Sequence, residues 1–248
     1  MDSSRNAAIE FRDVSFSVNG APLLQNLTLE IRQGETLVLL GRSGSGKTTT
    51  LKLINRLLTA TGGEVRVNGQ RVEQWDVIKL RRMIGYVIQE AGLFPHYTVG
   101  RNIGLVPKIE GWPADRIEKR VLEMMQLVGL EPKIARRYPH ELSGGQRQRV
   151  GVARALAADP PILLMDEPFG ALDPLTRAEL QLEFLRLQAH LQKTVVFVTH
   201  DLREALSVGS RIGLLENGKL VTLHSKSEFI ASHDPLVIAY KNAFATER

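Results

Sequence analysis

The sequence predicts an α/β protein: a mostly parallel sheet flanked by helices, an antiparallel β subdomain and an inserted helical subdomain. Three observations predict it: a glycine-rich loop between an apolar run and a helical pattern, further apolar runs, and a segment without strand patterns. Short continuous apolar runs suit strands that are buried on both faces, as in sheets covered by helices. The runs lie at 37–40, 84–88, 162–165 and 195–198.

The composition is that of an ordinary globular protein. The 248 residues are 43% hydrophobic and 24% charged, so we expect one domain over 1–248 with a helical insertion at about 92–142. The absence of cysteine excludes disulfides, thiolate catalysis and cysteine-bound metals. There is no bilayer-spanning apolar run and no signal peptide, so we expect a cytoplasmic location, with membrane attachment only through a partner.

The formal net charge is +5, which indicates a solvated basic surface. A basic surface can also serve nucleic acids or an anionic membrane face. No basic block with interleaved aromatic residues occurs, so nucleic acid is not an expected partner.

Alternating apolar and polar residues predict the antiparallel β subdomain near the N-terminus. Residues 9–12 and 27–31 alternate as strands do when one face is buried. Residues 64–72 add a hairpin, because an Asn-Gly dipeptide in the middle favours a two-residue turn. A second Asn-Gly turn is predicted within 212–223.

The glycine-rich loop after the first apolar run predicts a phosphate site. It fits G-x-x-x-x-G-K-[ST] between a strand and a helix predicted at 49–58, and this context argues against a chance glycine turn. The glycines let backbone N–H groups turn inward, while Lys47 reaches the β- and γ-phosphates and Thr48 ligates Mg²⁺. The residues assigned to nucleotide binding in this P-loop NTPase core are Gly41, Arg42, Ser43, Gly44, Ser45, Gly46, Lys47, Thr48 and Thr49.

The segment at about 92–142 contains no strand pattern and predicts a helical insertion between two core strands. Within it, 113–128 has apolar residues near helical spacing, and Gly129 follows. We interpret Met124 and Met125 as core filling, with contact to a partner as the alternative.

Ser143 and the glycines after it predict a second anion-binding helix start. Ser143 is a favoured N-cap for a helix at 147–158, and the glycines expose backbone N–H groups. An ordinary capped helix is the alternative. If this start lies far from the glycine-rich loop in one fold, it must serve the nucleotide of another subunit. Asp173 and Pro174 start a further helix toward residue 191.

Polar side chains follow three predicted core strands, at the edge where α/β sheets bind ligands. Asp166 is placed to hold Mg²⁺, and Glu167 to orient or deprotonate a water attacking the γ-phosphate. His200 can donate a hydrogen bond to the γ-phosphate. The Gln89 amide can complete the Mg²⁺ shell or sense the γ-phosphate. Taken singly, the acidic pair could be a solvated turn and His200 a structural histidine.

These motifs occur in the order found in ATP-binding cassette (ABC) transporter ATPases, which the chain resembles over nearly its whole length. The ordered set comprises the glycine-rich loop, Gln89, 142–146, 162–167, 171–173 and His200. The resemblance implies an ATPase with ATP and Mg²⁺ as cofactors. The catalytic residues implied are Lys47, Glu167 and His200, and the metal ligands are Thr48, Gln89 and Asp166.

In that family two subunits pair head to tail, with each ATP between the phosphate loop of one and the Ser-Gly-Gly loop of the other. The resemblance therefore implies a second copy of the chain as partner. Ser143, Gly145 and Gln146 would complete the partner's nucleotide site, and Asp173 would cross the interface. The resemblance also implies that the helical insertion docks on transmembrane permease subunits. These subunits work with an extracytoplasmic solute-binding protein.

A narrower resemblance is to importers of quaternary amines such as glycine betaine, choline and carnitine. It rests on 51–57, on 80–96, on the tripeptide at 106–108 and on Gly111-Trp112. The leading hypothesis is therefore the ATP-hydrolysing subunit of a membrane importer for such osmoprotectants.

The alternatives are import of another small solute, such as an amino acid or polyamine, and a soluble ABC protein acting on ribosomes or DNA. Soluble ABC proteins usually carry two cassettes or long coiled coils, and neither is present. A GTPase or small-molecule kinase would leave 142–146 unexplained, and the Asn-Lys-x-Asp guanine motif is absent.

The chain departs from the family pattern at two points. Val18 stands where an aromatic residue often stacks on adenine, so we expect a base contact that is weak, shifted or supplied by nearby Phe16. Many betaine-importer ATPases carry C-terminal CBS modules, whereas this sequence ends at Arg248, and ionic-strength sensing through such modules is not expected.

Overall fold

The computed structural model describes residues 7–89, 91–170 and 172–245, and the chain divides into two compact units. The first unit comprises Met1–Arg81 and Gln192–Arg248, and the second comprises Arg82–Leu191. The first unit is therefore assembled from both ends of the chain. No helix of the described ranges is both long and apolar enough to cross a membrane.

The elements follow in chain order. The first unit begins with β1 (Ala7–Val18), β2 (Ala21–Arg32), β3 (Thr36–Leu40), α1 (Lys47–Ile54), β4 (Gly62–Val67), β5 (Gln70–Arg71) and α2 (Val77–Arg82), whose last residue belongs to the second unit. The second unit contains β6 (Ile84–Val87), α3 (Val99–Ile103), α4 (Leu105–Ile109), α5 (Ala114–Leu127), α6 (Gly144–Leu156), β7 (Ile162–Asp166) and α7 (Pro174–Leu191). The first unit resumes with β8 (Thr194–Thr199), α8 (Leu202–Val208), β9 (Arg211–Glu216), β10 (Lys219–Ser225), α9 (Lys226–Ala231) and α10 (Pro235–Ala245).

An antiparallel sheet in the first unit has the strand order β2-β1-β4-β5. Its register places Phe11 between Leu29 and Val65, and all three side chains are buried. Asn68 and Gly69 join β4 to β5 with positive φ at both residues, as a tight hairpin turn requires. The predicted antiparallel β subdomain is confirmed.

The other strands of the first unit have the order β10-β9-β3-β8. Strand β3 pairs in parallel with β8 and β9, and β10 pairs antiparallel with β9. Every residue of β3 and β8 is buried, which explains the continuous apolar runs. Leu40 lies opposite Thr199, so the glycine-rich loop and His200 leave the sheet at the same edge.

Parallel pairing in the second unit joins β6 to β7. Val87 lies opposite Met165, so Gln89, two residues beyond β6, and Asp166, the last residue of β7, lie at the same edge. All residues of β7 are buried, in agreement with the predicted core strand.

The described residues of 92–142 form helices α3 to α5 and two short 3₁₀ turns, with no strand among them. Helix α5 buries Val121, Met124 and Met125, so the two methionines fill the core as predicted. The boundaries of a single domain at 1–248 and of its insertion stay a prediction.

Helix α1 ends at Ile54, earlier than the pattern at 49–58 predicts. Arg56 has a φ of 53°, in the left-handed region that ends helices. The N–H groups of Leu57 and Leu58 both donate to the Lys52 carbonyl, at 2.8 and 3.0 Å, and so close the last turn.

Candidate functional site

The glycine-rich loop connects β3 to α1, and its last glycine is the N-cap of α1. Gly46 has a φ of 104°, and a Cβ there would lie 2.6 Å from Leu24 Cδ2, so only glycine fits without displacing a neighbour. The loop therefore presents the N-terminal N–H groups of α1 at the edge where β3 ends.

The side chain of Lys47 crosses this loop. The residue is 5% exposed, and Nζ donates to the carbonyl oxygens of Gly41 and Arg42 at 2.8 and 2.9 Å. These bonds fix a positive charge within the glycine-rich loop, where a lysine of this motif binds nucleotide phosphates.

Ser45 adds a polar group that suits the same ligand. It is 4% exposed, and its Oγ has no hydrogen-bond partner among the described residues. Because a buried hydroxyl without a partner costs free energy, a phosphate oxygen beside it would be stabilising. The turn between β9 and β10 is hydrogen-bonded to the loop, because Gly218 N–H donates to the Ser45 carbonyl at 3.2 Å.

His200 is exposed where β8 ends, and both of its neighbours are anchored. Thr199 Oγ1 donates to Glu204 Oε2 at 2.6 Å and accepts from the N–H of Asp201 at 3.0 Å. Asp201 in turn caps α8 by accepting from the N–H of Arg203 at 2.7 Å. The position of His200 at the edge shared with the phosphate loop is therefore well defined.

Two carboxylates end β7 in the second unit. Asp166 is 6% exposed, and its Oδ2 accepts from the Tyr86 hydroxyl at 3.1 Å. Burial, and then the charge of Asp166, raise the pKa of Tyr86, so the phenol stays protonated as a donor. Glu167 has a φ of 43°, a conformation that costs a non-glycine residue about 1–3 kcal/mol and is common at functional sites.

Gln89 is exposed two residues beyond β6, and the chain just after it is held by helix α6. Arg154 on α6 donates to the carbonyl oxygens of Ala91 and Gly92, at 2.8 Å each. Burial lowers the pKa of Arg154. Because α6 begins next to Ser143, one helix connects the Ser-Gly-Gly start to the Gln89 segment.

Ser143 is the N-cap of α6, as predicted, although the helix begins at Gly144 rather than at 147. Ser143 Oγ accepts from Gln146 N–H at 3.2 Å, and Gln146 Oε1 accepts from Ser143 N–H at 3.0 Å. This capping box starts the helix earlier than its apolar pattern indicates. A polar cavity of about 490 Å³ adjoins the start, and its lining includes Ser143, Gly145, Gln146, Lys133, Arg137 and Thr176.

Asp173 is exposed and precedes α7, as predicted. Its Oδ1 accepts from the N–H of Thr176 at 3.1 Å. A hydrogen bond from the Thr176 hydroxyl is the main cause that lowers the pKa of Asp173. Since Thr176 lines the polar cavity, Asp173 is next to the Ser-Gly-Gly start in the same unit.

The position predicted to contact the base is open. Val18, at the end of β1, is 45% exposed, whereas Phe16 is 7% exposed. The Phe16 ring is covered, so Val18 is the one of the two that a base can reach.

The structure thus groups the predicted residues within each unit. In the first unit the phosphate loop and His200 follow paired strands, in the second unit Gln89 and Asp166 lie at the ends of paired strands, and the Ser-Gly-Gly residues line one cavity. Tyr86 and Arg154 were missed by the sequence analysis. Their contacts depend on strand register and helix packing, for which the sequence shows no local signal.

The α/β fold and the glycine-rich loop between β3 and α1 are those of a nucleotide-binding cassette. Residues 24–170, more than half of the chain, match the family described as ABC transporter. The chain belongs to the ABC transporter family.

Its curated relatives include transport ATP-binding proteins. It is 50% identical over 211 residues to the glycine betaine/carnitine/choline transport ATP-binding protein OpuCA of Bacillus subtilis (strain 168), covering 85% of this chain and 56% of that protein. It is 51% identical over 213 residues to the glycine betaine uptake system ATP-binding protein YehX of Escherichia coli (strain K12), covering 86% and 69%. The chain thus spans little more than half the length of OpuCA. The narrower resemblance to osmoprotectant importers is confirmed.

Solved structures confirm the predicted fold class. The dimeric post-hydrolysis state of the ATP-binding cassette MJ0796, bound to ADP and Pi, matches with a TM-score of 0.79 and 34% identity, covering 88% of this chain and 98% of that chain. The cbiO1 protein of Clostridium perfringens, part of the ABC transporter complex cbiONQ, matches with a TM-score of 0.84 and 25% identity, covering 92% of each chain.

Proposed function

We propose that the chain is the ATP-hydrolysing subunit of a membrane ABC importer for glycine betaine, choline or a related osmoprotectant. The observation that carries the proposal is the buried Lys47 ammonium, held by two loop carbonyls at the N-terminus of α1. A positive charge fixed at such a helix start can bind the phosphates of a nucleoside triphosphate. The transport role is supported by the relatives OpuCA and YehX.

The proposed ligand is ATP with Mg²⁺. N–H groups from Ser43 to Thr48 and the Lys47 ammonium bind the phosphates, while Thr48, Gln89 and Asp166 hold the metal. The described residues contain no cluster of three metal-ligating His, Cys, Asp or Glu side chains. Magnesium in nucleotide sites needs only one or two carboxylates beside the phosphates, so the donors present fit. Bound by these residues, Mg²⁺ would offset the negative charge of the phosphate oxygens.

The proposed reaction is in-line attack of water on the γ-phosphorus. The water oxygen bonds to the γ-phosphorus while Glu167 takes a proton from the water. The bond between the γ-phosphorus and the β–γ bridging oxygen breaks, which releases ADP. His200 donates a hydrogen bond to the γ-phosphate and holds the water in line. The Lys47 ammonium offsets negative charge in the transition state.

A second copy of the chain is the proposed partner at the nucleotide. Ser143, Gly145 and Gln146 of one copy close over the ATP bound by the other, with Asp173 at the interface. Two dimeric MJ0796 structures that the chain resembles support this assembly. ATP drives closure because it binds the closed dimer more tightly than the open one.

The helical segment of the second unit offers a surface for the permease. A groove of about 1020 Å³ runs along α3 to α5, and we assign it to a cytoplasmic segment of the transmembrane subunits. Its lining combines apolar and basic side chains, among them Leu105, Ile109, Trp112, Ile117, Arg101 and Lys108. The proposed location is therefore cytoplasmic, on the inner face of the membrane, with an extracytoplasmic solute-binding protein serving the permease.

Replacement of Glu167 by glutamine tests the reaction. The amide keeps the shape of the side chain but accepts no proton, so Glu167→Gln should bind ATP, lose about 100-fold or more in turnover and accumulate an ATP-bound dimer. Phosphate release and size-exclusion chromatography with ATP measure these outcomes. Glu123→Gln, at an exposed position of α5, is the matched control and should hydrolyse ATP normally. Near-normal hydrolysis by Glu167→Gln would reject Glu167 as the base.

The transported solute requires the complete importer. The chain is co-purified with its permease and binding protein, reconstituted in vesicles, and supplied with labelled glycine betaine, choline and carnitine. ATP-dependent uptake of at least one of them is expected. Active ATP hydrolysis without uptake of any of the three would reject the osmoprotectant assignment and retain the ATPase.

A further inference from the structure

Tyr86 hydrogen-bonds the carboxylate that the proposed function assigns to the metal. Its hydroxyl donates to Asp166 Oδ2 at 3.1 Å, across the pair of strands β6 and β7. Tyr86 is half-buried and Asp166 is 6% exposed, so water competes little for this bond.

The pairing of the two strands explains why this tyrosine reaches this carboxylate. Tyr86 lies opposite Leu164 in the parallel register. Leu164 and Asp166 are two residues apart and lie on the same face of β7. A tyrosine ring is long enough to extend past Leu164 to the carboxylate at the end of the strand.

We propose that Tyr86 is a positioning residue for the metal–nucleotide site, in which its hydroxyl fixes the orientation of the Asp166 carboxylate that binds Mg²⁺. This inference rests on the proposed function. An ionised carboxylate can rotate and offers several lone pairs, and a donor that occupies one of them aims the others. Partners behind metal ligands typically contribute about 10–100-fold in metal affinity or activity.

A purely structural hydrogen bond is the competing explanation, because a buried carboxylate needs partners whatever its role. The two explanations differ in what they change. Loss of a purely structural bond lowers the free energy of unfolding and leaves the magnesium requirement of nucleotide binding unchanged. Loss of a positioning bond raises the Mg²⁺ concentration at which magnesium-dependent nucleotide binding is half complete.

Tyr86→Phe removes the hydroxyl and keeps the ring. Binding of a fluorescent ATP analogue to the full chain is measured first in EDTA and then against increasing Mg²⁺. The variant should match the wild type in EDTA and need about 10-fold more Mg²⁺ for half of the magnesium-dependent change. Tyr138→Phe removes a hydroxyl from a residue that is 41% exposed and should behave as the wild type in both titrations.

Asp166→Asn completes a double-mutant cycle. If Tyr86 acts through Asp166, Tyr86→Phe should change the magnesium requirement no further in the Asp166→Asn background. An equal requirement in wild type and Tyr86→Phe, or an undiminished effect in the double variant, would overturn the positioning role and leave the ATPase proposal intact. A wild-type chain that binds no ATP analogue would overturn the ATPase proposal and this inference with it.

Discussion

Val18 is the residue at which we expect this chain to depart from the family pattern of an aromatic residue that stacks on adenine. An exposed valine presents two methyl groups to a base, where an aromatic ring would offer a stacking face. Phe16 does not replace that ring, because it is 7% exposed within the sheet. If the base of the proposed nucleotide lies at Val18, we expect the free energy of binding to come mainly from the phosphates and discrimination between ATP and GTP to be weak.

A tyrosine at position 18 should supply the missing face. Stacking of a base on an aromatic ring contributes about 1–3 kcal/mol, so Val18→Tyr should tighten ATP binding about five-fold or more. Val221→Tyr, at an exposed position of β10 that is 37% exposed, is the control and should leave the dissociation constant unchanged. Fluorescence titration with ATP measures both variants. Unchanged affinity in Val18→Tyr would indicate that the base binds elsewhere.

Sites formed by residues that follow one another in the sequence were the easiest to predict. The geometry from Gly41 to Thr48 is local, because a strand, a glycine loop and a helix start follow one another directly. The contact between Tyr86 and Asp166 joins residues that are 80 positions apart. It depends on which residues of β6 and β7 are opposite each other, and an apolar run does not specify that register.

At the scale of elements, the chain contains two Asn-Gly turns with different surroundings. Gly69 and Gly218 have nearly equal φ values, 76° and 77°. A Cβ on Gly69 would meet nothing within 4 Å, whereas a Cβ on Gly218 would lie 2.7 Å from the Leu23 carbonyl oxygen. Gly218 also donates to the Ser45 carbonyl and accepts from Gln25 N–H at 2.8 Å. The second turn therefore connects β2 with the phosphate loop.

Alanine substitutions at the two turns should distinguish the cost of a positive φ from the contribution of the second turn to the conformation of the phosphate loop. In Gly69→Ala the only cost is the strain of an alanine at positive φ, so the variant should lose about 1–2 kcal/mol of unfolding free energy. Gly218→Ala also displaces the turn from Leu23, so it should lose more and weaken ATP binding several-fold. Urea unfolding and nucleotide titration provide the two readouts. Equal losses of stability, or wild-type ATP affinity in Gly218→Ala, would contradict this role.

Element types were predicted more reliably than element ends. The hairpins, the buried strands and α5 agree with their patterns, because hydrophobic periodicity reports which face is covered. The ends of α1 and α6 differ by several residues from the predictions. Backbone features decide them: the left-handed Arg56 in one case, and the reciprocal bonds of Ser143 and Gln146 in the other.

At the scale of the whole molecule, an ion pair links the two parts of the chain that build the first unit. Arg211, which begins β9, donates to both carboxylate oxygens of Glu35 at 3.0 and 3.2 Å, and to the Glu30 carbonyl at 3.2 Å. Glu35 also accepts from the N–H of Arg32 at 2.9 Å. The side chains of Glu35 and Arg211 are 7% and 21% exposed, so solvent screens the pair only partly.

Glu35→Gln should destabilise the protein by about 2 kcal/mol, because it leaves the partly buried guanidinium without its charged partner. Glu131→Gln breaks the ion pair with Lys133, whose side chains are 64% and 73% exposed, and should cost less than about 0.5 kcal/mol. Urea unfolding of both variants gives the comparison. Similar values for the two would show that the Glu35–Arg211 pair contributes no more than a surface pair.

The discontinuous first unit also affects how the protein is made. Strand β3, which precedes the phosphate loop, pairs on both sides with strands that follow residue 192. A ribosome adding about 5–20 residues per second needs roughly 8–30 seconds to synthesise the chain between β3 and β8. During that interval the apolar run of β3 has neither neighbour, and the continuous second unit is fully synthesised just before β8 is added. The nascent phosphate loop therefore lacks its final support, and should acquire affinity for nucleotide only late in synthesis.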